Sequence, residues 1–279
     1  REQNHTQGNT AMKFERVSLF FYSPTGTTHK IASEIAAGTG TDPLKVIENN
    51  LTYPEFADSM VEVEPNDLVI IGAPVYAGRI ASEALKRLAT IKFAQNPAIL
   101  LAVYGNRNYD DALIDLREAA KTAGLRPVAA AAFIGEHSYS TRKYPIAKGR
   151  PDDTDKQAAR NFGSRVYEKI QSLADIVSLP ELSLPGRFPL PDRIVIPPSP
   201  AETIVERCVE CGKCQTACPT GAVYYQKGYK TKTELCTICC ACLKACPHDA
   251  RVIRSEHVQK FREMLATSCS NRREPEVFI

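Results

Sequence analysis

The sequence predicts an α/β protein in which a five-stranded, doubly wound parallel sheet is followed by a small α+β domain. Three observations carry this prediction. Short apolar runs alternate with amphipathic stretches over residues 17–174, a proline-rich segment follows, and nine of the ten cysteines lie between Cys208 and Cys246. Strands that alternate with helical patterns are typical of a parallel sheet with helices on both faces.

Five continuous apolar runs predict the strands of this sheet. A strand of a parallel sheet is covered by helices on both faces, so its sequence is an unbroken apolar run instead of an alternation. The five runs are Val17–Tyr22, Leu44–Ile47, Leu68–Gly72, Ala98–Tyr104 and Pro127–Ile134.

Amphipathic stretches between and after these runs predict the helices. A weaker pattern over Tyr53–Val61 predicts a helix after the second strand. The other predicted helices are Thr28–Ala37, Ile80–Ile91, Asp111–Ala123 and Thr154–Ala174. The last one repeats apolar residues at the three-to-four spacing of one helix face, namely Ala158, Phe162, Val166, Ile170 and Leu173.

Seven prolines in the 25 residues from Ile176 to Pro200 predict an extended, stiff linker between two domains. Proline has no N–H donor and a fixed φ, which excludes a helix or a central strand here. After the linker and the cysteines, Val258, Phe261 and Leu265 recur at helical spacing and predict a helix that packs back onto a domain. The predicted regions are 1–12 (an N-terminal tail or residues left from cloning, ahead of or at Met12), 13–175 (the sheet), 176–200 (the linker), 201–255 (the cysteines) and 256–279 (a C-terminal helix and tail).

Composition and charge exclude several classes of protein. The formal net charge of +3 is too small to indicate a nucleic-acid partner. No apolar run reaches the roughly 18 residues that span a bilayer, so we expect no membrane span. The first residues lack the apolar stretch of a signal peptide, and the clustered cysteines favour metal binding over a disulfide scaffold. We therefore expect a cytoplasmic protein.

Two cysteine repeats carry the most specific signal in the chain. Each reads C-x-x-C-x-x-C-x-x-x-C-P, and a shift of 28 residues converts the first, which begins at Cys208, into the second, which begins at Cys236. Zinc sites usually combine two C-x-x-C pairs into four ligands, whereas this region offers eight cysteines in two such runs. Zinc and disulfides remain the alternatives to two iron–sulfur clusters.

This region resembles bacterial-type ferredoxins with two [4Fe–4S] clusters, over about 50 residues. The resemblance implies that the fourth cysteine of each run binds the other cluster. Cluster 1 would then be held by Cys208, Cys211, Cys214 and Cys246, and cluster 2 by Cys236, Cys239, Cys242 and Cys218. Cys240 and Cys269 fall outside the pattern and are predicted to be small buried side chains.

A hydroxyl-rich turn after the first strand predicts a phosphate site. Ser23-Pro24-Thr25-Gly26-Thr27-Thr28 opens directly into a helix, where hydroxyls and free N–H groups can hold an anion. No lysine follows, so a nucleoside triphosphate is not indicated. The segment is similar to the flavodoxin phosphate loop, S/T-x-T-G-x-T, which implies FMN as the ligand.

Loops after the third and fourth strands extend this predicted FMN site. In an open parallel sheet, ligands bind beyond the carboxyl ends of the strands, and the flavodoxin strand order 2-1-3-4-5 would bring the three loops together. Tyr76 and Tyr109 are the candidates for stacking on the flavin ring. The predicted cofactor-binding residues are Ser23, Thr25, Gly26, Thr27, Thr28, Pro74, Val75, Tyr76, Gly78, Tyr104, Gly105, Asn106, Tyr109 and Asp110.

Together, these loops, the linker and the cysteine runs resemble the flavodoxin–ferredoxin fusion proteins, or ferrodoxins, of anaerobic bacteria and archaea. The resemblance covers Val17 to about Ser255 and implies an electron-transfer protein that couples FMN to two [4Fe–4S] clusters and relays electrons between redox protein partners. It does not identify those partners.

Other hypotheses remain open. The protein could be a flavin-dependent reductase of a small molecule that draws electrons from the clusters, or its first domain could have lost the flavin and serve only for docking. The stretch from Gly135 to Arg150 could cover the flavin or meet the second domain, and His137 could donate a proton or be an ordinary loop residue. No residue is assigned a catalytic role. No NAD(P) site is evident, since Gly38-Thr39-Gly40 ends a helix and Pro43 interrupts the G-x-G-x-x-G pattern.

Overall fold

The computed structural model describes residue 14 and residues 16–40, 45–58, 61–173, 176 and 179–279. Several predictions fall wholly or partly outside the described residues. They concern the tail over residues 1–12, the first residue of the second strand, Leu44, residues 59–60 of the helix predicted over Tyr53–Val61, the last residue of the final helix of the sheet region, Ala174, and residues 177–178 of the linker.

The first part of the chain, called here the sheet domain, alternates strands and helices as the periodicity predicts. Its strands run in the order β2-β1-β3-β5-β6, and all neighbours in this path are parallel. The predicted order 2-1-3-4-5 is therefore confirmed. The elements are β1 (Arg16–Phe21), α1 (Thr27–Thr39), β2 (Lys45–Asn50), β3 (Asp67–Tyr76), β4 (Arg79–Ile80), α2 (Ser82–Leu88), β5 (Pro97–Tyr104), α3 (Ala112–Thr122), β6 (Arg126–Ile134) and α4 (Asp153–Gln171).

The predicted helix over Tyr53–Val61 is wrong. Where the structure describes it, over residues 53–58 and 61, this segment forms a short 3₁₀ helix, Pro54–Asp58, instead of an α-helix. Its apolar side chains, Tyr53 and Phe56, are three residues apart, and Phe56 is buried while Tyr53 is exposed. A single buried anchor at this spacing suits one tight turn, because an α-helix is stabilised mainly by a continuous apolar face.

Two apolar cores fill the space between the sheet and its helices. Leu19, Ile70 and Leu101 point to the face covered by α1 and α4, whereas neighbouring residues of the same strands point to the face covered by α2 and α3. A Cβ on Gly38 would lie 2.0 Å from the carbonyl oxygen of Arg160, so Gly38 permits close packing of α1 on α4.

The linker is bound along the sheet domain. Residues 179–200 form neither helix nor strand, as the prolines predict. The Arg193 guanidinium lies 2.7 Å from a carboxylate oxygen of Asp115, and Arg187 lies 2.6 Å from Asp111. These ion pairs fix the path of the linker past the carboxyl ends of the strands.

The rest of the chain forms a cysteine module (residues 201–255) and a C-terminal segment that returns to the sheet. The predicted C-terminal helix is confirmed, and the last strand, β11, pairs antiparallel with β6 and extends the sheet by one strand. Among the described residues, no helix is long and apolar enough to cross a membrane. The elements are β7 (Glu202–Thr203), α5 (Lys213–Thr216), β8 (Val223–Tyr225), β9 (Tyr229–Thr231), α6 (Ala241–Lys244), β10 (Arg251–Val252), α7 (Glu256–Ser268) and β11 (Glu276–Phe278).

Candidate flavin and iron–sulfur sites

The hydroxyl-rich turn lies at the N-terminus of α1, where the sequence places an anion site. Gly26 has a φ of 84°, in the left-handed region, and allows the turn into the helix. The Thr28 hydroxyl is buried without a hydrogen-bond partner, and the first turn of the helix carries no acidic side chain. An unpaired hydroxyl beside the free N–H groups of a helix start fits a phosphate.

A cavity of about 650 Å³ extends from this turn across the carboxyl ends of the strands. Both its size and its position fit a cofactor site in an open α/β sheet. Nine of the predicted cofactor residues line it, and they come from all three loops: Thr25, Thr27, Pro74, Val75, Tyr76, Gly78, Tyr104, Gly105 and Asp110.

The loops around the cavity pack closely on one another, with side chains against the backbone of two glycines. Gly78 has a φ of 78°, and a Cβ there would lie 2.5 Å from a carboxylate oxygen of Asp110. A Cβ on Gly105 would lie 2.1 Å from the His137 ring, so the loop after β6 packs directly on the loop after β5. Side chains at these two glycines would push the walls of the cavity apart.

Five predicted residues do not line the cavity. Ser23, Gly26 and Thr28 belong to the turn from which the cavity extends, and Ser23 Oγ accepts a 3.0 Å hydrogen bond from the backbone N–H of His29. Asn106 instead binds the C-terminal segment, since its Nδ2 donates to the carbonyl oxygens of Cys269 and Asn271 at 2.7 and 2.8 Å.

Tyr109 is buried in the sheet domain, away from the cavity. Its ring packs edge-on against Tyr104 at 5.5 Å, and its hydroxyl donates a 2.7 Å hydrogen bond to Glu276 in β11. Of the two tyrosines predicted to stack on a flavin, the structure brings only Tyr76 to the cavity.

His137 lines the cavity as a neutral imidazole. Burial, followed by the positive charges of Arg107, Lys244 and Arg262, lowers the pKa of His137 to about 4. Its Nδ1 accepts a 3.0 Å hydrogen bond from the backbone N–H of Tyr139, so the proton of the neutral ring is on Nε2. This side chain can donate one hydrogen bond into the cavity.

The sequence did not predict that the linker and α7 would form walls of the cavity. Ile194, Val195 and Ile196 contribute one wall, and Phe261 and Met264 of α7 contribute another. The linker prolines and the helical spacing of α7 were visible in the sequence, but nothing local indicated what either segment would cover.

Each set of four cysteines expected to hold one cluster lines its own cavity. Cys218, Cys236, Cys239 and Cys242 line one cavity. Cys208, Cys211, Cys214 and Cys246 line the other. The crossed positions of Cys218 and Cys246 support the predicted ligand sets, and thiol donors are the ligands that a [4Fe–4S] cluster requires.

The cysteine thiols of the module surround two cavities and do not converge on the position of a single metal ion. Within the described parts of the chain, no three Cys, His, Asp or Glu side chains are placed to hold a single metal ion. In a four-iron cluster, four thiolates hold the whole cubane from outside, so they need not converge. Cys240 is buried and lines the cluster 2 cavity as a fifth cysteine, outside the predicted ligand set. Cys269 is partly exposed and lines neither cavity.

The loop of the second cysteine run reaches the cavity on the sheet domain. Thr237 and Ile238 line both this 650 Å³ cavity and the space enclosed by the cluster 2 cysteines. Lys244 donates a 2.8 Å hydrogen bond to the carbonyl oxygen of Ser140, and Arg262 Nε donates at 2.9 Å to that of Tyr139. The loop after β6 therefore both borders the cavity and contacts the cysteine module.

Comparison with known families identifies both parts of the chain. Residues 18–147 match the flavodoxin domain family, and residues 201–224 match the 4Fe–4S binding domain family. The chain joins a flavodoxin domain to a 4Fe–4S domain. This confirms the predicted fusion, and the two domains imply FMN and [4Fe–4S] clusters as cofactors of an electron-transfer flavin and iron–sulfur protein.

Solved structures similar to the chain include several flavodoxins. A flavodoxin from the domain Archaea is 14% identical, with a TM-score of 0.40, and the match covers 56% of this chain and 98% of that one. Flavodoxin 1 from Bacillus cereus is 16% identical, with a TM-score of 0.37 and coverages of 55% and 97%. The flavodiiron protein from Giardia intestinalis is 14% identical, with a TM-score of 0.36 and coverages of 58% and 37%. None of the curated proteins compared with the chain is significantly similar to it.

Proposed function

We propose that the protein relays electrons between redox partners through a linear series: FMN in the flavodoxin domain, then cluster 2, then cluster 1. One observation carries the order. Thr237 and Ile238, which lie between two cysteines of cluster 2, also line the proposed flavin cavity. No residue of the first cysteine run, 208–218, lines that flavin cavity.

In this proposal, the residues of the flavodoxin domain bind and orient the flavin. Thr25, Thr27 and Thr28 hold the phosphate, Tyr76 packs against the ring, and His137 donates a hydrogen bond through Nε2. When bound, FMN would exchange one or two electrons, whereas each cluster passes single electrons. The chain can therefore connect a two-electron reaction to one-electron partners.

The residues of the 4Fe–4S domain supply the two ligand sets, Cys208, Cys211, Cys214 and Cys246 for cluster 1 and Cys236, Cys239, Cys242 and Cys218 for cluster 2. The proposed domain limits are those that the sequence predicts, 13–175 and 201–255, with the linker over 176–200 and the C-terminal segment over 256–279. The C-terminal segment closes the flavin cavity through α7 and is joined to the flavodoxin sheet through β11.

Electrons would pass to or from a protein partner at cluster 1, because this is the solvent-facing end of the series. Cys211 is exposed, and the neighbouring Val205 and Val209 are 74% and 58% exposed. The equivalent residues of the second run, Thr233 and Thr237, line a cleft between the two domains. A partner thus reaches cluster 1 without displacing the flavodoxin domain.

Reduction of a small molecule at the flavin is the alternative function. It would need free space beside the bound flavin, and the linker and α7 border the cavity through Ile194, Val195 and Phe261. Turnover of a diffusible substrate with chemically reduced protein would favour this alternative over the relay.

The first test is cofactor content under anaerobic conditions. We expect about eight irons, from two four-iron clusters, and one FMN per chain. Rapid mixing of the protein, with its flavin reduced, against a one-electron protein acceptor should then oxidise the flavin through the clusters. Zinc in place of iron, or a flavin-free protein that still binds iron, would contradict the proposal.

A further inference from the structure

Two buried hydroxyl groups close to the cluster 2 cysteines have no hydrogen-bond partner among the described residues. They are the phenol of Tyr22, directly after β1 in the flavodoxin domain, and the side-chain hydroxyl of Thr237, between Cys236 and Cys239. Tyr22 is 0% exposed. A buried hydroxyl without a partner costs about 1–3 kcal/mol, so two such groups beside cysteines indicate that a metal-bound thiolate or a cluster sulfur accepts their hydrogen bonds.

Both hydroxyls lie beside the thiols of the second run. Tyr22 and Thr237 line the interdomain cleft together with Cys236, and Thr237 also lines the cluster 2 cavity with Cys239. Burial raises the pKa of the Tyr22 phenol, and the neighbouring thiols of Cys239 and Cys218 raise it further. Thr237 in turn lies next to the Cys239 thiol.

Arg87 fixes Tyr22 at this place. The Arg87 guanidinium carbon lies 5.7 Å from the centre of the Tyr22 ring. The same guanidinium donates a 2.5 Å hydrogen bond to the carbonyl oxygen of Pro219, the residue after Cys218. The ring is therefore positioned between the flavodoxin domain and the last cysteine of the first run.

Cluster 1 lacks an equivalent of this pair of hydroxyls in the described part of the chain. The 28-residue shift relates Cys239 to Cys211 and Thr237 to Val209. Cys211 is exposed, Val209 has no hydroxyl, and no residue of the first run, 208–218, lines the interdomain cleft that contains Tyr22. Tyr229 lines the cluster 1 cavity, but its side chain is only partly buried and can bind water. The two sites thus share their ligand pattern and differ in the hydrogen bonds and the solvent around it.

We infer that Tyr22 and Thr237 donate hydrogen bonds to the Cys239 thiolate or an adjacent sulfur of cluster 2 and thereby raise the reduction potential of cluster 2. The inference deepens the proposed function, on which it rests. A hydrogen bond to a cluster sulfur stabilises the reduced cluster, which carries one more negative charge, and such bonds are among the factors that set cluster potentials. Tyr22 and Thr237 are positioning residues here, since they change the reduction potential of the cluster through a hydrogen bond to a sulfur and do not bind iron themselves.

The test is an anaerobic, mediator-controlled redox titration of the holoprotein followed by electron paramagnetic resonance. Tyr22→Phe and Thr237→Val each remove one hydroxyl at nearly constant shape, and valine already occupies the equivalent position 209 of the first run. We expect the cluster signal that is lost in Cys218→Ser to move to a more negative potential in both variants. The other cluster and the iron and FMN content should stay unchanged. Tyr53→Phe, which removes an exposed hydroxyl of the same domain, is the matched control and should shift neither signal.

Electron–nuclear double resonance gives a second readout that does not depend on turnover. The reduced parent protein should show an exchangeable proton coupled to cluster 2 that disappears in Tyr22→Phe or Thr237→Val. Unchanged potentials and couplings in variants with full cofactor content, or equal shifts of both clusters, would overturn the inference. A parent protein that lacks the clusters or the FMN would instead overturn the proposed function. If Tyr22→Phe does not fold, Thr237→Val still decides the question.

Discussion

Arg87 joins the two domains of the protein, because its Nη2 donates a 2.5 Å hydrogen bond to the carbonyl oxygen of the buried Pro219. Its Nη1 donates at 2.6 Å to the carbonyl oxygen of Leu51. One side chain of α2 thus holds both the edge of the flavodoxin sheet and the turn after Cys218. This contact places Cys218, a proposed ligand of cluster 2, next to the flavodoxin domain.

The first prediction concerns this contact. Arg87→Met keeps much of the aliphatic stem and leaves the Pro219 carbonyl without a donor, so the free energy of unfolding should fall by about 1–3 kcal/mol. Chemical denaturation of the anaerobic holoprotein measures it. Lys86→Met is the matched control, since the Lys86 ammonium is exposed and pairs with Glu83 on the same helix, and it should change stability by less than about 0.5 kcal/mol. Equal effects of the two variants would contradict a role for Arg87 between the domains.

The second prediction concerns the phosphate turn. The Thr28 hydroxyl is buried and unpaired, and a hydrogen bond to a charged group contributes about 1.5–3 kcal/mol. Thr28→Val should therefore weaken FMN binding by roughly 10-fold to 100-fold. Titration of the flavin-free protein with FMN, followed by the quenching of flavin fluorescence, measures the affinity. Thr90→Val, at an exposed position after α2, should bind FMN like the parent.

The third prediction concerns the crossed ligand sets. Cys208 and Cys246 lie in different runs but line the same cavity. Cys208→Ser and Cys246→Ser should therefore both weaken cluster 1 and leave cluster 2 in place. Cys218→Ser should affect cluster 2, whose cavity it lines with Cys239. Iron analysis combined with electron paramagnetic resonance of the reduced variants distinguishes the two clusters. The ligand sets would be wrong if Cys246→Ser and Cys218→Ser removed the same signal.

The sequence predicted those parts of the molecule that follow from local periodicity and spacing. The strands and the helix α4 follow from apolar patterns within a few dozen residues. The strand order follows from the resemblance to flavodoxins, and the two ligand sets, which rest on the resemblance to ferredoxins, stay a prediction. Tyr76 and Tyr109 show the limit of such local patterns, because both tyrosines lie at or shortly after the carboxyl end of a parallel strand, β3 and β5. Only Tyr109 is held away from the cavity, by a hydrogen bond to Glu276, which lies 167 positions further along the chain. No local sequence pattern predicts a partner at that distance.

The same limit explains the missed walls of the flavin cavity. Prolines predicted a stiff linker, and the spacing of Val258 and Leu265 predicted a helix, but both patterns describe a segment by itself. The linker covers the cavity because Arg193 binds Asp115, and α7 covers it because Arg262 binds the Tyr139 carbonyl. These are tertiary contacts of polar side chains, which leave no periodic signal.

The fourth prediction concerns the pH dependence of stability through His137. Its pKa is lowered to about 4 in the folded protein, mainly by burial, against about 6.5 in an unfolded chain. The unfolded state therefore binds the proton more tightly, and stability is lost as the pH falls from about 6.5 towards 4. At pH 5.5 the loss from this one group should be roughly 1 kcal/mol relative to pH 7.5.

His137→Asn tests this prediction, because the amide oxygen of the introduced side chain can accept the Tyr139 N–H in place of Nδ1 and does not titrate in this range. Urea unfolding of parent and variant at pH 7.5 and at pH 5.5, under anaerobic conditions, separates two effects. The difference at pH 7.5 reports the change in packing, since the imidazole is largely neutral in both the folded and the unfolded state at that pH. The parent should lose roughly 1 kcal/mol more than the variant between the two pH values. The same loss in both proteins would show that His137 keeps an ordinary pKa in the folded state and would contradict the lowered pKa.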